Sequence, residues 1–498
     1  MNVNPITRLD YPDPDVIRVE DTYYMVSTTM HFMPGCEILQ SFDLVHWEHV
    51  TYVYETLDHT DAQQLKSGQN IYGQGMWAAS LRYHEGRFYI CFVANDTRKT
   101  YLYTSEKIDG PWKKQLIEGF YHDGSLLFDE DGRNYIVYGN DEIWITELNE
   151  DLTAPKKDGL HRLLVSDHKN PKLGYEGSHI QKINGYYYIF LIHSLRDRWM
   201  RTEACFYSDS LEGEFTGGDV LCDDRGYCGQ GVAQGGIVDT PDGKWYAMLF
   251  QDSGAVGRIP ILLPVTWKDH FPFFGQNGHV PEEIEVHSTR PGYIYQPLVG
   301  SDDFCNGLLP RWQFNHDPDP QYYHLDALQG TYTITTREVC TELTQAVNTL
   351  TQRMSYPSCA AEVTVDASAL KEGDVAGLCA LQSCYAAVGI TKHHGKYEVL
   401  MLDKKEDGIL DMTEGTVVES HQMDFRLEAD FCNMKDEARC YYRVNKGDWL
   451  PIGTVHKLYF KLDHFTGCRF GLFCYAAEET GGSACFRDFK YYDVDEIS

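Results

Sequence analysis

No stretch of about 18 apolar residues occurs in this 498-residue chain, so no segment reads as a membrane-spanning helix. The opening residues, MNVNPITRLDYPDPD, lack the basic start and apolar middle of a secretory signal. Cys-x-x-Cys pairs and the Cys/His spacings of metal sites are missing too, and the 15 cysteines are an odd number scattered along the chain. They read as reduced, mostly buried thiols, and the expected location is cytoplasmic. Positive charge is scarce: 43 Lys and Arg stand against 74 Asp and Glu, a net charge of −31. Such a field repels nucleic acid and anionic membranes and leaves a neutral small molecule as the easier partner. No amphipathic helix of ordinary length is visible. The chain is expected to be all-β.

What the chain has is a repeat. Five segments share a special residue, a small residue and a small or polar one, then an apolar strand, a tight turn and an aromatic-rich return strand. They open at Asp13-Pro-Asp15, Ala78-Ala79-Ser80, Asp123-Gly124-Ser125, Glu176-Gly177-Ser178 and Gln234-Gly235-Gly236. The starts at 13, 78, 123, 176 and 234 are 65, 45, 53 and 58 residues apart. Multi-stranded repeats of this period point to propeller blades. A second echo supports this: Ser41-Phe42-Asp43-Leu44 before Trp47, Ile108-Asp109-Gly110-Pro111-Trp112, and Leu211-Glu212-Gly213 before Phe215. Each reads as a turn near the outer strand with an aromatic packed behind it. The expected fold is a five-bladed β-propeller over residues 1–295. The Pro/Gly/Asp-rich stretch near 285–320 leads into short alternating strands, so a β-sandwich is expected over 296–498.

In a radial repeat, equivalent positions face one another around one axis. Three of the five opening residues are acids: Asp13, Asp123 and Glu176. Ala78 and Gln234 at the same position show that an acid is not structurally required there. Taken singly, Pro-Asp-Pro and Asp-Gly-Ser are ordinary turn chemistry. Taken together, three carboxylates at one channel mouth suit glycosidic bond hydrolysis, which needs one group to protonate the leaving oxygen and one to activate water or attack. Glu176 has the longer arm for the acid. Asp13, held between two prolines, suits the base. Asp123 would orient Glu176 and, with the other carboxylates, raise its pKa by like-charge repulsion. His84 and His179 read as packed or exposed strand histidines rather than metal ligands.

These motifs resemble glycoside hydrolase family 43, and the resemblance extends over essentially the whole chain. It implies Asp13 as general base, Asp123 (HDGSLLFDEDG) as the pKa-modulating acid and Glu176 (YEGSHIQKINGYYY) as general acid, with inversion of configuration. It further implies Trp77 in GMWAASLRYHEGRFY beside the sugar, Arg258 in GRIPILLPVTW as a sugar-binding cation, and Phe32 in MHFMPG as a wall of the terminal-sugar pocket. The C-terminal half resembles the concanavalin-like sandwich of the β-xylosidase and α-L-arabinofuranosidase branch, whose loop would close the site with an aromatic, here Phe465 in HFTGCRFGLFCY. A closed pocket takes chain ends only, so the implied mode is exo. One departure stands out: many relatives carry His where this chain has Gln234, a weaker metal ligand. No metal or cofactor is expected, and the case for a structural calcium ion is weakened.

The expected substrate is a xylo- or arabino-oligosaccharide, with β-xylosidase first and α-L-arabinofuranosidase second. A homo-oligomer is compatible with the sequence. Two other classes stay open: a non-catalytic carbohydrate-binding protein, and a fructan- or sucrose-cleaving enzyme, whose Asn-Asp-Pro-Asn type opening is absent.

Overall fold

The computed structural model describes residues 2–493. Five antiparallel four-stranded sheets form the blades. Blade 1 holds Asp15–Val19, Thr22–Ser27, Gly35–Ser41 and Glu48–Tyr54; blade 2 holds Met76–His84, Arg87–Ala94, Lys99–Ser105 and Lys113–Ile117. Blade 3 holds Ser125–Phe128, Asn134–Asn140, Glu142–Leu148 and His161–Ser166; blade 4 holds Glu176–Ile183, Tyr186–Ser194, Arg201–Ser208 and Thr216–Leu221. Blade 5 holds Ile237–Asp239, Trp245–Asp252, Arg258–Lys268 and Phe271–Phe274. Each repeat motif opens the innermost strand of its blade, and each outer echo lies between the third and fourth strands. Trp47, Trp112 and Phe215 there pack into the apolar clusters between blades. Asn2–Val3 pairs with Glu283–Ile284, and the Asn4 amide bonds to Leu262 and Pro281, tying the start of the propeller to its end.

The third residue of the repeat motif stitches neighbouring blades. The Leu81 amide donates to Asp15 Oδ2 at 2.7 Å, the Leu126 amide to Ser80 Oγ at 3.1 Å, and the Ile180 amide to Ser125 Oγ at 3.0 Å. Arg82 crosses the axis beneath them. It bonds Asp15 of blade 1, Ser125 and the Leu126 carbonyl of blade 3, and the Ile180 carbonyl of its neighbour. His179 Nδ1 lies 3.1 Å from the other Asp15 oxygen. Burial alone would raise the Asp15 carboxyl, but Arg82 and His179 outweigh it and hold it below the ordinary range.

The C-terminal half is a sandwich of two sheets around one apolar core that includes Trp312, Phe425, Phe470 and Phe486. One sheet does not stop at the domain edge. Gln313–Asn315 pairs on one side with Leu350–Arg353 and on the other with Phe32–Met33, a two-residue strand inserted from blade 1.

Beside that strand three imidazoles are buried between the domains. The His316 and His464 rings lie 4.8 and 5.0 Å from His31, and Tyr72 touches all three. His316 Nε2 accepts the Ile71 amide, which fixes that ring as neutral, while no nitrogen of His31 or His464 has a partner. The guanidinium of Arg469 is packed nearby on Phe32. Burial holds His31 and His316 well below the ordinary histidine value and His464 at about 3. In the unfolded chain all three take up protons near pH 6.5, so the unfolded state binds more protons below that pH and stability falls. The contribution is complete above pH 6.5 and declines by about 1.4 kcal/mol per histidine for each pH unit below it. His464→Phe is expected to lose roughly one third less stability to this group of histidines between pH 6.5 and 5.5, as measured by urea unfolding. Equal losses in both proteins would show that His464 titrates alike folded and unfolded.

Candidate active site

The opening residue of the innermost strand is forced into an unusual backbone. Asp13, Asp123 and Gln234 have φ of 53, 47 and 63°, in the left-handed region that few side chains favour. In blade 4 the left-handed residue is Gly177, at φ 65°, leaving Glu176 before it in an ordinary conformation. A Cβ on Gly177 would meet the Gln234 side chain at 2.7 Å, so glycine is required there for space as well.

A continuous series of contacts joins the residues at this mouth. Asp13 is fixed through both oxygens: Thr28 Oγ1 donates to one at 2.6 Å and Arg258 Nη1 to the other at 3.0 Å. Arg258 lies under the Phe465 ring, with 4.4 Å between its guanidinium carbon and the ring centroid. Phe465 faces Trp77 at 5.5 Å, and Trp77 faces His122 at 5.9 Å. His122 Nε2 is 3.5 Å from Asp123 and 3.6 Å from Glu176. Asp123 accepts the Gly177 amide at 3.0 Å, and Gly177 abuts Gln234. The sequence-expected residues Asp13, Trp77, Asp123, Glu176, Gln234, Arg258 and Phe465 thus share one site. Two donors of the buried Arg258 and the indole N–H of Trp77 have no protein partner. Buried donors without partners are costly, and they suit the hydroxyls of a small polar ligand.

Phe32 requires a correction. Its side chain is fully buried in a cluster with Leu343, Tyr385 and Phe473, with the Arg469 guanidinium carbon 3.5 Å above its ring. The strand formed by Phe32 and Met33 turns that ring into the sandwich, so it packs the domain interface and does not wall the sugar pocket. Met30, at φ 52°, bridges through its backbone to Met76, the residue before Trp77.

Besides Thr28 and Asn140, sequence reasoning missed three ionisable residues. Asp10 accepts the Arg258 amide at 2.7 Å and the Gly467 amide at 2.8 Å, so one buried carboxylate positions both Arg258 and the loop carrying Phe465. Neighbouring Gly467 has no room for a side chain, since its Cβ would meet the Val256 carbonyl at 2.1 Å. His122 precedes Asp123 in the motif and was the most legible of the three. Asp123 and, less strongly, Glu176 raise its pKa to about 9, so it is a cation at neutral pH. Burial pushes the Asp123 carboxyl upward while His122 opposes the shift and Glu176 adds to it. Asn140 Nδ2 donates to Glu176 at 2.7 Å. The donor atoms of His122, Asp123 and Glu176 lie within 4.8 Å of one another, a set able to hold a divalent cation only by displacing the proton on His122.

The third missed residue is Glu203, fully buried on the third strand of blade 4. One of its oxygens accepts the Gln234 amide at 2.7 Å and the other has no partner. Burial without a cation raises this carboxyl well above the usual range, so it is a neutral acid. It fixes the strained Gln234, which in turn packs on the glycine that holds Asp123.

Comparison with known proteins places the chain in a family. Residues 3–272 match the model of Glycosyl hydrolases family 43, and residues 301–492 match that of the Beta xylosidase C-terminal Concanavalin A-like domain. The chain belongs to glycoside hydrolase family 43. Among its relatives, a beta-xylosidase of Formosa agariphila is 26% identical over 99% of this chain and 89% of its own. A xylosidase/arabinosidase of Butyrivibrio fibrisolvens is 23% identical over 99% of both chains. A solved structure described as a bifunctional GH43-CE protein from Bacteroides eggerthii superposes with a TM-score of 0.93 at 42% identity. The superposition covers all of this chain but 64% of that one, so this family 43 chain spans just under two thirds of that protein's length.

For this glycoside hydrolase, Glu203→Gln is expected to keep kcat within a few-fold of wild type, because the amide oxygen still accepts from Gln234. Glu203→Leu leaves that buried amide unpartnered, a loss of about 1–3 kcal/mol, and is expected to lower kcat tenfold or more. Steady-state kinetics on any substrate the wild type cleaves would check this, and equal rates in both variants would deny Glu203 the role.

Proposed function

We propose that this enzyme is an exo-acting, inverting glycosidase that removes terminal β-D-xylosyl units from hemicellulose oligosaccharides, with α-L-arabinofuranosyl ends as second substrates. The observation that carries this reading is the Phe465 ring, delivered by the sandwich onto Arg258 and Trp77 at the propeller mouth. A pocket closed by a second domain accepts the end of a chain and excludes its middle. The names of the relatives, beta-xylosidase and xylosidase/arabinosidase, support the choice of pentose. Xylopyranose lacks the exocyclic CH₂OH of hexoses, and arabinofuranose carries its own on a smaller five-membered ring, so a closed pocket suits either five-carbon outline.

In this reading Glu176 protonates the glycosidic oxygen as the bond to the anomeric carbon breaks, and the bonding electrons leave with that oxygen. Asp13 takes a proton from the water that attacks the opposite face, which inverts the configuration. Thr28 and Arg258 already hold the Asp13 carboxylate in place, so little entropy is lost in positioning it. Asp123 holds the backbone beside Glu176 through Gly177, and Asn140 sets the Glu176 side chain. His122 offsets the charge of Asp123. The free donors of Arg258 and Trp77 receive the sugar hydroxyls.

Initial rates on 4-nitrophenyl β-D-xylopyranoside and 4-nitrophenyl α-L-arabinofuranoside test the substrate, and the larger kcat/KM is expected on the xyloside. Glu176→Gln is expected to slow xylobiose hydrolysis by roughly 10²–10⁴-fold while leaving its binding intact. A variant keeping a tenth of the wild-type rate would remove Glu176 from the acid role. Proton NMR is expected to show α-xylose as the first product, whereas β-xylose first would mean retention.

A further inference from the structure

The sandwich covers the catalytic face unevenly. It reaches blade 1 through the pairing of Phe32–Met33, the segment after blade 1 through Tyr72 Oη to the Thr344 carbonyl at 2.6 Å, and blade 5 through the Ala255 amide to Asp436 at 3.1 Å. Among the described residues, no hydrogen bond or ion pair joins residues 118–222, which carry blades 3 and 4, to the sandwich. Blades 3 and 4 are thus the side of the propeller that the sandwich does not tether.

Trp199 stands on that open side. It lies in the loop joining Tyr186–Ser194 to Arg201–Ser208. Glu176 pairs with Ile192 and Ser194 pairs with Arg201, so this loop projects from the same end of blade 4 as Glu176. Its side chain is 46% exposed, and Trp199 is the only tryptophan among the exposed large apolar residues described. The Arg201 guanidinium carbon is 5.7 Å from the Trp199 ring and 5.3 Å from the Phe250 ring, and Arg258 lies 5.4 Å from that same Phe250 ring. These three short steps connect Trp199 to the cation that holds Asp13. Arg201 Nη1 bonds Asp252 at 2.5 Å, while Arg201 Nε and the second Asp252 oxygen have no partner. A flat indole beside a planar donor–acceptor pair offers what a sugar ring presents: an apolar face rimmed by hydroxyls.

We propose that Trp199, with Arg201 and Asp252, forms a distal leaving-group subsite that binds a neutral pentosyl residue of the chain beyond the scissile bond. This rests on the exo-glycosidase reading above. It makes the enzyme one that favours oligosaccharides of three or more units over disaccharides, by binding the part of the substrate it releases.

The full chain and its Trp199→Ala and Trp199→Phe variants would be compared on 4-nitrophenyl β-D-xylopyranoside, xylobiose, xylotriose and xylotetraose. Trp199→Ala is expected to raise KM progressively with chain length, the penalty for xylotetraose being about tenfold larger than that for the nitrophenyl glycoside. Trp199→Phe is expected to recover most of it. A penalty that is the same for every substrate, or no penalty at all, would overturn the subsite. Calorimetry of xylotetraose binding to Glu176→Gln, with and without Trp199→Ala, gives an independent reading, and equal affinities there would also overturn it. A wild type that cleaves none of these substrates and whose Glu176→Gln form binds none would instead overturn the xylosidase reading, and the subsite with it.

Discussion

The buried ion pair between Asp15 and Arg82 is the constraint on which the rest of this molecule depends. Removing two charges from water is costly, and only near-complete hydrogen bonding offsets that cost. Here it is offset by groups drawn from three blades besides that of Asp15: Leu81 and Arg82 from blade 2, Ser125 and the Leu126 carbonyl from blade 3, His179 and the Ile180 carbonyl from blade 4. The blades therefore cannot slide along the axis without stranding a charge. Asp13, Asp123 and Glu176 are two or three residues away from members of this network. Their mutual placement is inherited from it, and the acids stand on a floor already rigid before substrate arrives.

The same logic of buried charge runs through the site above. Two acids and Asp13 converge at one mouth, with Asp13 and Asp123 buried, an arrangement that works against their charges if nothing opposes them. His122 supplies a cation between Asp123 and Glu176, Arg258 supplies one beside Asp13, and Glu203 avoids the problem by remaining protonated. Polarity here is divided by neighbour rather than by residue type. Three carboxyl groups within one mouth have three environments, and chemistry that needs both a donor and an acceptor of protons requires such differences.

Much of this was legible in the sequence because it repeats. The recurrence of one motif at five positions is a statement about symmetry, and symmetry turns sequence equivalence into spatial convergence without any knowledge of contacts. That is why the three acids, the all-β class and the blade count could be read directly. The stitching role of Asp15, Ser80 and Ser125 was present in the same columns, but a short polar side chain looks identical whether it bonds a neighbour or water. Asp10 and Glu203 were invisible for another reason: each acts on backbone amides far away in the chain, and no local pattern reports such a bond. Phe32 misled because strand alternation decides which way a ring points. The two-residue strand at Phe32–Met33 exists only through its partner near residue 314.

That short strand has a consequence for how the chain reaches its native state. Blade 1 is made early, yet the segment linking its second and third strands stays an unpaired edge until Gln313–Asn315 has been synthesised and has itself met Leu350–Arg353. The four strands of blade 1 can pair without it, but the seam between propeller and sandwich waits for nearly three hundred further residues, a connection of very high sequence separation and hence slow to close. During that wait the exposed edge and the unfilled cavity around Phe32 are open to wrong partners, so assembly is expected to run from the C-terminal half inward. Cutting the chain between its two halves would leave the four strands of blade 1 in place and the sandwich sheet short of the outermost strand it takes from that blade.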